Sequence, residues 1–171
     1  GTSYDFVGSV AGAGDVDGDG LDDIILGSVG MDYGSSTSGA YIVLGASLGS
    51  TSEIDLSTSA DIQIVGESND AGGSVASAGD VDGDGLADII IGAMSDHDGA
   101  YYAGSAYIVL GSSLASTSVS LLSSADYKFI GENKHDTAGK SVASAGDVDG
   151  DGLDDVLVGA NANSNGGSGA G

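Results

Sequence analysis

The amino-acid sequence predicts an all-β protein built from repeated units of four short antiparallel strands. Three observations carry that reading. The segment Ala-Gly-Asp-Val-Asp-Gly-Asp-Gly-Leu-x-Asp occurs three times, its acidic part beginning at Asp15, Asp80 and Asp147, so successive copies stand 65 and 67 residues apart. The apolar runs between the copies are of strand length only, and each is bounded by Gly, Ser, Asn or Asp. Glycine supplies 32 of the 171 residues, alongside many Ser and Thr, which suits tight turns and short strands better than helices.

Within one period the four strands, denoted A to D, are expected at 73–78, 88–92, 106–110 and 126–130. Strand A carries mostly small residues, as a crowded inner wall requires. Strand B, Asp88-Ile89-Ile90-Ile91-Gly92, is continuously apolar, the pattern of a strand covered on both faces. Strand C, Ala106-Tyr107-Ile108-Val109-Leu110, repeats Ala40-Tyr41-Ile42-Val43-Leu44, and the regular placing of Tyr41 and Tyr107 marks them as packing residues. Strand D of the first unit, Asp61-Ile62-Gln63-Ile64-Val65, alternates, as expected nearer a sheet edge.

A repeat this long is a supersecondary unit that stacks on its neighbours, and four antiparallel strands per repeat describe a β-propeller blade. The phasing divides the chain into a first blade with a preceding strand (1–66), a second blade (67–131) and an incomplete third (132–171), about two and a half blades. Tyr4-Asp5-Phe6-Val7-Gly8 matches Tyr127-Lys128-Phe129-Ile130-Gly131, so a D strand is expected there, running almost directly into the first A strand. Ser168-Gly169-Ala170-Gly171 falls where a third C strand would begin. Propellers close with about 4 to 8 blades, so the expectation is a window of a longer protein or a piece completed by other chains.

Charge narrows the partners. Three Lys and Arg stand against 26 Asp and Glu, a formal net charge of -23, which speaks against nucleic acid and anionic membrane surfaces and for cations. Cysteine is absent, which removes disulfides and thiolate metal sites. No apolar run approaches the roughly 20 residues that span a bilayer. The chain opens on Gly1-Thr2-Ser3-Tyr4 without Met or a basic leader, so any targeting signal is expected to have been removed or to lie outside this segment.

The acidic loops carry the chemistry. In Asp15-Val16-Asp17-Gly18-Asp19-Gly20-Leu21-Asp22-Asp23, carboxylates at positions 1, 3, 5 and 9 and the main-chain carbonyl at position 7 can converge on one hard cation. Glycines at positions 4 and 6 permit the sharp turn. The expected ligands are Asp15, Asp17, Asp19, the Leu21 carbonyl and Asp23; then Asp80, Asp82, Asp84, the Leu86 carbonyl and Asp88; then Asp147, Asp149, Asp151, the Leu153 carbonyl and Asp155. An all-oxygen cage of this size favours Ca²⁺ over Mg²⁺ and zinc, giving three calcium sites. An EF-hand would place a bidentate Glu at position 12, between helices. Leu26, Ile91 and Val158 stand there instead, inside β-like runs. Asp22 and Asp154, at position 8, are expected to be merely solvated, since Ala87 fills that place in the middle copy.

These residues resemble the FG-GAP repeats of integrin α-subunit propellers and their bacterial relatives. Phe129-Ile130-Gly131 followed by Gly139-Lys140-Ser141-Val142-Ala143 resembles the Phe-Gly part, and Gly92-Ala93 and Gly159-Ala160 resemble the Gly-Ala-Pro part, here without Pro. The Asp loops resemble the family's calcium motif. The resemblance implies a propeller with calcium in its A to B loops, in a secreted or cell-surface protein concerned with adhesion or surface recognition. It transmits no ligand, because fold does not carry function with it.

A to B and C to D connections emerge at one end of an up-and-down blade, B to C and D to A connections at the other. The framework repeats but the B to C connections do not: Met31-Asp32-Tyr33-Gly34-Ser35 differs from the 94–104 segment with His97, Tyr101 and Tyr102, and the second D to A connection carries Lys134 and His135. A protein or glycan ligand on that face is one expectation. The leading functional reading is a non-catalytic, calcium-stabilised extracellular module for adhesion or surface assembly. One alternative is a self-assembling filament or surface-layer subunit whose open blade edges are completed by neighbouring chains. Another is an accessory domain of a secreted polysaccharide-active enzyme. Neither His sits in a repeated motif, no nucleophile elbow is present, and the clustered Asp residues are assigned to calcium, so no catalytic residue is named.

Overall fold

The computed structural model describes residues 5–30, 38–49, 52–66, 71–115, 118–120 and 124–162. In chain order the strands are β1 (Asp5–Gly14), β2 (Asp23–Gly30), β3 (Gly39–Val43), β4 (Ile62–Val65), β5 (Ala71–Gly79), β6 (Asp88–Ala93), β7 (Ser105–Val109), β8 (Ser118–Ser120), β9 (Tyr127–Ile130), β10 (Ala138–Gly146) and β11 (Asp155–Ala160). Three sheets result, ordered β1-β2-β3-β4-β8, β5-β6-β7-β9 and β10-β11. Apart from β8, every pairing is antiparallel between consecutive elements of a unit, so β1, β5 and β10 occupy position A, β2, β6 and β11 position B. The expected all-β, blade-like architecture is therefore present.

Strand B sits at the heart of the second blade for the reason its sequence gives. Ile89, Ile90 and Ile91 are fully buried, sandwiched between neighbouring blades. Tyr41 and Tyr107 are buried in their C strands, as expected of packing residues. Each A strand ends in a bulge, after which Gly14, Gly79 and Gly146 pair with Asp23, Asp88 and Asp155. Those three glycines have φ of 77°, 81° and 68°, a left-handed backbone that launches the acidic loop at the same angle in every blade.

Blades meet along their A and B strands. The Ser9 hydroxyl donates to the Gly72 carbonyl and the Ser74 hydroxyl to the Gly139 carbonyl, both at 2.8 Å. Gly27 and Gly92 on the adjoining B strands make room for that approach. A Cβ at either position would lie 2.1 or 1.9 Å from the same carbonyl oxygen.

Three expectations need correction. Asp5–Gly8 forms no separate D strand. These residues continue into β1, where Asp5, Phe6 and Val7 pair with Gly30, Val29 and Ser28. The connection is almost deleted, and Gly8 is taken up as a bulge between Val7 and Ser9, so the chain runs straight on along β2. Second, β4 is not an edge. β8, from the C to D connection of the second blade, adds to it in parallel, with Val119 buried against the first blade. The exposed edge is β9, where Tyr127, Phe129 and Ile130 face outward. Third, Asp154 is not merely solvated but bonds the Asp80 N–H. The expected third C strand lies outside the described residues.

One ion pair stabilises the outer part of the second blade. Lys128 bonds Asp98 and reaches Asp96 at 3.0 Å, while the buried Tyr107 hydroxyl donates to Asp96 at 2.6 Å. Burial alone would raise the Asp96 pKa, but hydrogen bonds from Tyr107, the Asp98 N–H and Lys128 outweigh it and hold it at about 2. Burial and the Asp96 carboxylate together push Tyr107 up to about 12. A carboxylate with a depressed folded pKa adds stability above its unfolded pKa and loses it as the pH falls through the folded one. Asp96→Asn is therefore expected to cost roughly 1–3 kcal/mol at pH 7. In urea unfolding, the gap to the parent chain should narrow between about pH 4 and pH 2; a gap independent of pH would refute the assignment. No helix among the described residues is long and apolar enough to cross a membrane.

Candidate metal centres

The three acidic loops fold alike. In the first, Asp15 gathers the turn through its side chain, accepting from the N–H groups of Gly18 at 2.7 Å, Asp19 at 3.1 Å and Gly20 at 2.9 Å. Asp17 accepts from Asp19 N–H and Asp19 from Leu21 N–H. Asp80 and Asp147 repeat the pattern on Gly83, Asp84, Gly85 and on Gly150, Asp151, Gly152. Short acidic side chains capping their own backbone explain why alternating Asp and Gly adopts this turn.

The ninth position ties the loop to the blade. Asp23 accepts from Val16 N–H at 2.8 Å and from Gly45 N–H at 2.7 Å, so it joins the A to B loop to the turn that follows β3. Asp88 does the same with Val81 and Gly111, both at 2.8 Å. Asp155 accepts from Val148 N–H at 2.9 Å. Asp23 and Asp88 are almost fully buried, and burial raises their pKa against the lowering effect of those N–H donors, with the neighbouring loop carboxylates adding to the rise. A cation beside them would relieve both penalties.

Carboxylate oxygens converge in each loop. Asp15, Asp17 and Asp19 in the first, Asp80, Asp82 and Asp88 in the second, and Asp147, Asp149 and Asp155 in the third each offer one oxygen within 4.8 Å of the others. Oxygens on opposite sides of a calcium ion stand about 4.6–5.2 Å apart, and across magnesium only about 4.0–4.2 Å. Separations within that bound allow each trio to share one divalent ion. Asp23, Asp84 and Asp151 complete the expected carboxylate sets from outside these trios. Leu21, Leu86 and Leu153 sit at the expected seventh position, each donating its N–H to the fifth-position Asp.

Asp154 at position 8 is bonded to the preceding blade, not merely solvated. Its carboxylate accepts from Asp80 N–H at 3.0 Å, and its own N–H donates to the Asp80 carbonyl at 3.0 Å. Ala87 N–H donates likewise to the Asp15 carbonyl at 2.8 Å. Asp22 remains exposed, as expected. No signal within one repeat reveals the contact, because its partner lies in the preceding blade.

At the opposite end, the B to C and D to A connections of the second blade are joined by main-chain bonds from His135 to Tyr101, Thr137 to Tyr102 and Ala138 to Ala103. His97, Tyr101, Tyr102 and His135 pack on one another with ring centroids 4.6–5.8 Å apart. Tyr102, His135 and Thr137 have positive φ, and among the described residues they are the non-glycine residues in that region. The rings thus staple two loops while Tyr101 stays half exposed. The 31–35 segment lies outside the described residues.

No curated protein matches the chain. The family model for the FG-GAP repeat matches residues 71–109 and 138–171, spans that contain the second and third acidic loops with the A and B strands on either side. Two FG-GAP repeats are thus recognised in the chain, at 71–109 and 138–171, and the first unit repeats their loop geometry bond for bond.

Proposed function

We propose that this chain is a non-catalytic, calcium-stabilised β-propeller module of an extracellular or cell-surface protein, serving adhesion or the building of a surface structure. The observation that carries it is a carboxylate trio in each of the three acidic loops, drawn from positions 1, 3 and 5 in the first and 1, 3 and 9 in the others, on a turn held by matching hydrogen bonds. Calcium would be held by Asp15, Asp17, Asp19, the Leu21 carbonyl and Asp23; by Asp80, Asp82, Asp84, the Leu86 carbonyl and Asp88; and by Asp147, Asp149, Asp151, the Leu153 carbonyl and Asp155. Unit charges about 4 Å apart repel by roughly 4 kcal/mol per pair at an effective dielectric of 20. An ion converts that repulsion into a clamp between strands A and B, so binding is linked to folding.

The ring cluster at the far end offers a rigid, half-exposed surface for a protein or glycan ligand. A second reading, completion by blades of neighbouring chains, is favoured by Ser141 and Gly159. They repeat the seam pair Ser74 and Gly92, which seats a blade in the second unit, and Leu157 near Gly159 is exposed, an apolar surface suited to another blade. Equilibrium dialysis followed by elemental analysis tests the principal reading. Three calcium ions per chain are expected, with magnesium unable to displace them at equal concentration. Fewer than one ion per chain would refute it. Sedimentation of the loaded sample separates a lone module from an assembling one.

A further inference from the structure

We propose that the three loops take up calcium as a coupled series, with the eighth loop position as the coupling residue; this rests on the calcium reading above. Position 8 lies between two expected ligands, the carbonyl at position 7 and the carboxylate at position 9. Its N–H is bonded to the main-chain carbonyl of the first ligand of the preceding loop, Ala87 to Asp15 and Asp154 to Asp80. The neighbouring Leu side chain covers a glycine of that same preceding loop: Leu86 lies over Gly18 and Leu153 over Gly83, each close enough that a Cβ on the glycine would stand 3.0 Å away. An ion that orders one loop therefore fixes the peptide unit and side chain that hold the first ligand of the loop before it.

Ordering carried out by one ion need not be repeated for the next, which makes the coupling positive, and linkage makes it reciprocal. The two seams are unequal. Between the second and third loops the Asp154 carboxylate adds a bond to Asp80 N–H, whereas Ala87 has no side-chain acceptor to offer Asp15. The backbone frame is the same at both seams. A Cβ placed on Gly79 would lie 2.6 Å from the Asp154 Cβ, and one placed on Gly14 would lie 2.6 Å from the Ala87 Cβ. Ala87→Asp should accordingly build at the first seam the bond that Asp154 makes at the second.

The test is a calcium titration of the chelator-stripped chain, with the amide NMR signals of Gly20, Gly85 and Gly152 reporting each loop. Disabling the third loop with Asp149→Ala and Asp151→Ala should weaken calcium at the second loop by about 5-fold, at the low end of measured couplings. Asp154→Ala should produce part of that loss, and disabling the third loop should then add only the remaining share carried by the main-chain bond and Leu153, the non-additivity of a shared path. Ala87→Asp should tighten the first loop, a gain that no general damage to folding can imitate. Loops that bind with affinities indifferent to one another, or an Ala87→Asp chain whose first loop is unchanged, would overturn the coupling and leave the calcium sites standing. A parent chain whose three glycine signals ignore calcium would overturn both.

Discussion

Removing calcium is expected to lower the melting temperature by roughly 15–30 °C. Each site held at about 100 times its dissociation constant adds about 2.7 kcal/mol, so three sites add about 8 kcal/mol. In a chain of this size each kcal/mol moves the midpoint by about 2–4 °C. Sodium chloride should not reproduce the effect. Its screening length is about 8 Å at physiological strength, longer than the 4.8 Å within which the loop carboxylates crowd. Differential scanning calorimetry in calcium, in chelator, and in chelator followed by excess calcium would check it. A midpoint within about 2 °C across all three samples would remove the physical basis for the module's stability.

Asp88→Ala is expected to be the most damaging single change in the loops, at roughly 5–9 kcal/mol. The carboxylate is wholly buried and accepts from both Val81 and Gly111. Truncation orphans both donors, at about 1–3 kcal/mol each, and the linked loss of one ion adds about 2.7 kcal/mol. Asp17→Ala removes an expected ligand that is exposed and holds only a local turn. Its cost should approach the ion's share alone and should vanish in chelator. Urea unfolding of both variants, with and without calcium, separates the two contributions. Equal losses for the two variants in chelator would show that Asp88 does not tie the C to D connection to the loop.

Much of this was legible because it depends on neighbours in sequence. The run Ile89-Ile90-Ile91 can be buried only if both faces are covered, and it is. The second-blade strands fall within two residues of their expected bounds, since turn residues flank each of them. The loop geometry follows from Asp and Gly alternation, which leaves few other ways to satisfy the backbone. What escaped depends on residues far apart. Val119 is a strand residue because Ile64 of the previous blade stands beside it. Asp154 is indistinguishable from Asp22 by spacing, and only the Asp80 peptide on the adjoining blade gives it a role. Asp5–Gly8 imitates a D strand by composition, but the missing connection decides its fate.

The hydroxyl-to-carbonyl contact that joins Ser9 to Gly72, and again Ser74 to Gly139, has a bearing on how such a protein can change its length over generations. Lock and key recur at nearly equal spacing, 63 and 65 residues, so a tandem copying event that inserts one whole unit presents each newcomer with a fitting seat on both flanks. Copying a fraction of a unit would set a hydroxyl against the wrong strand and a side chain where only hydrogen fits. Growth by complete units preserves the seams, and growth by fragments breaks them.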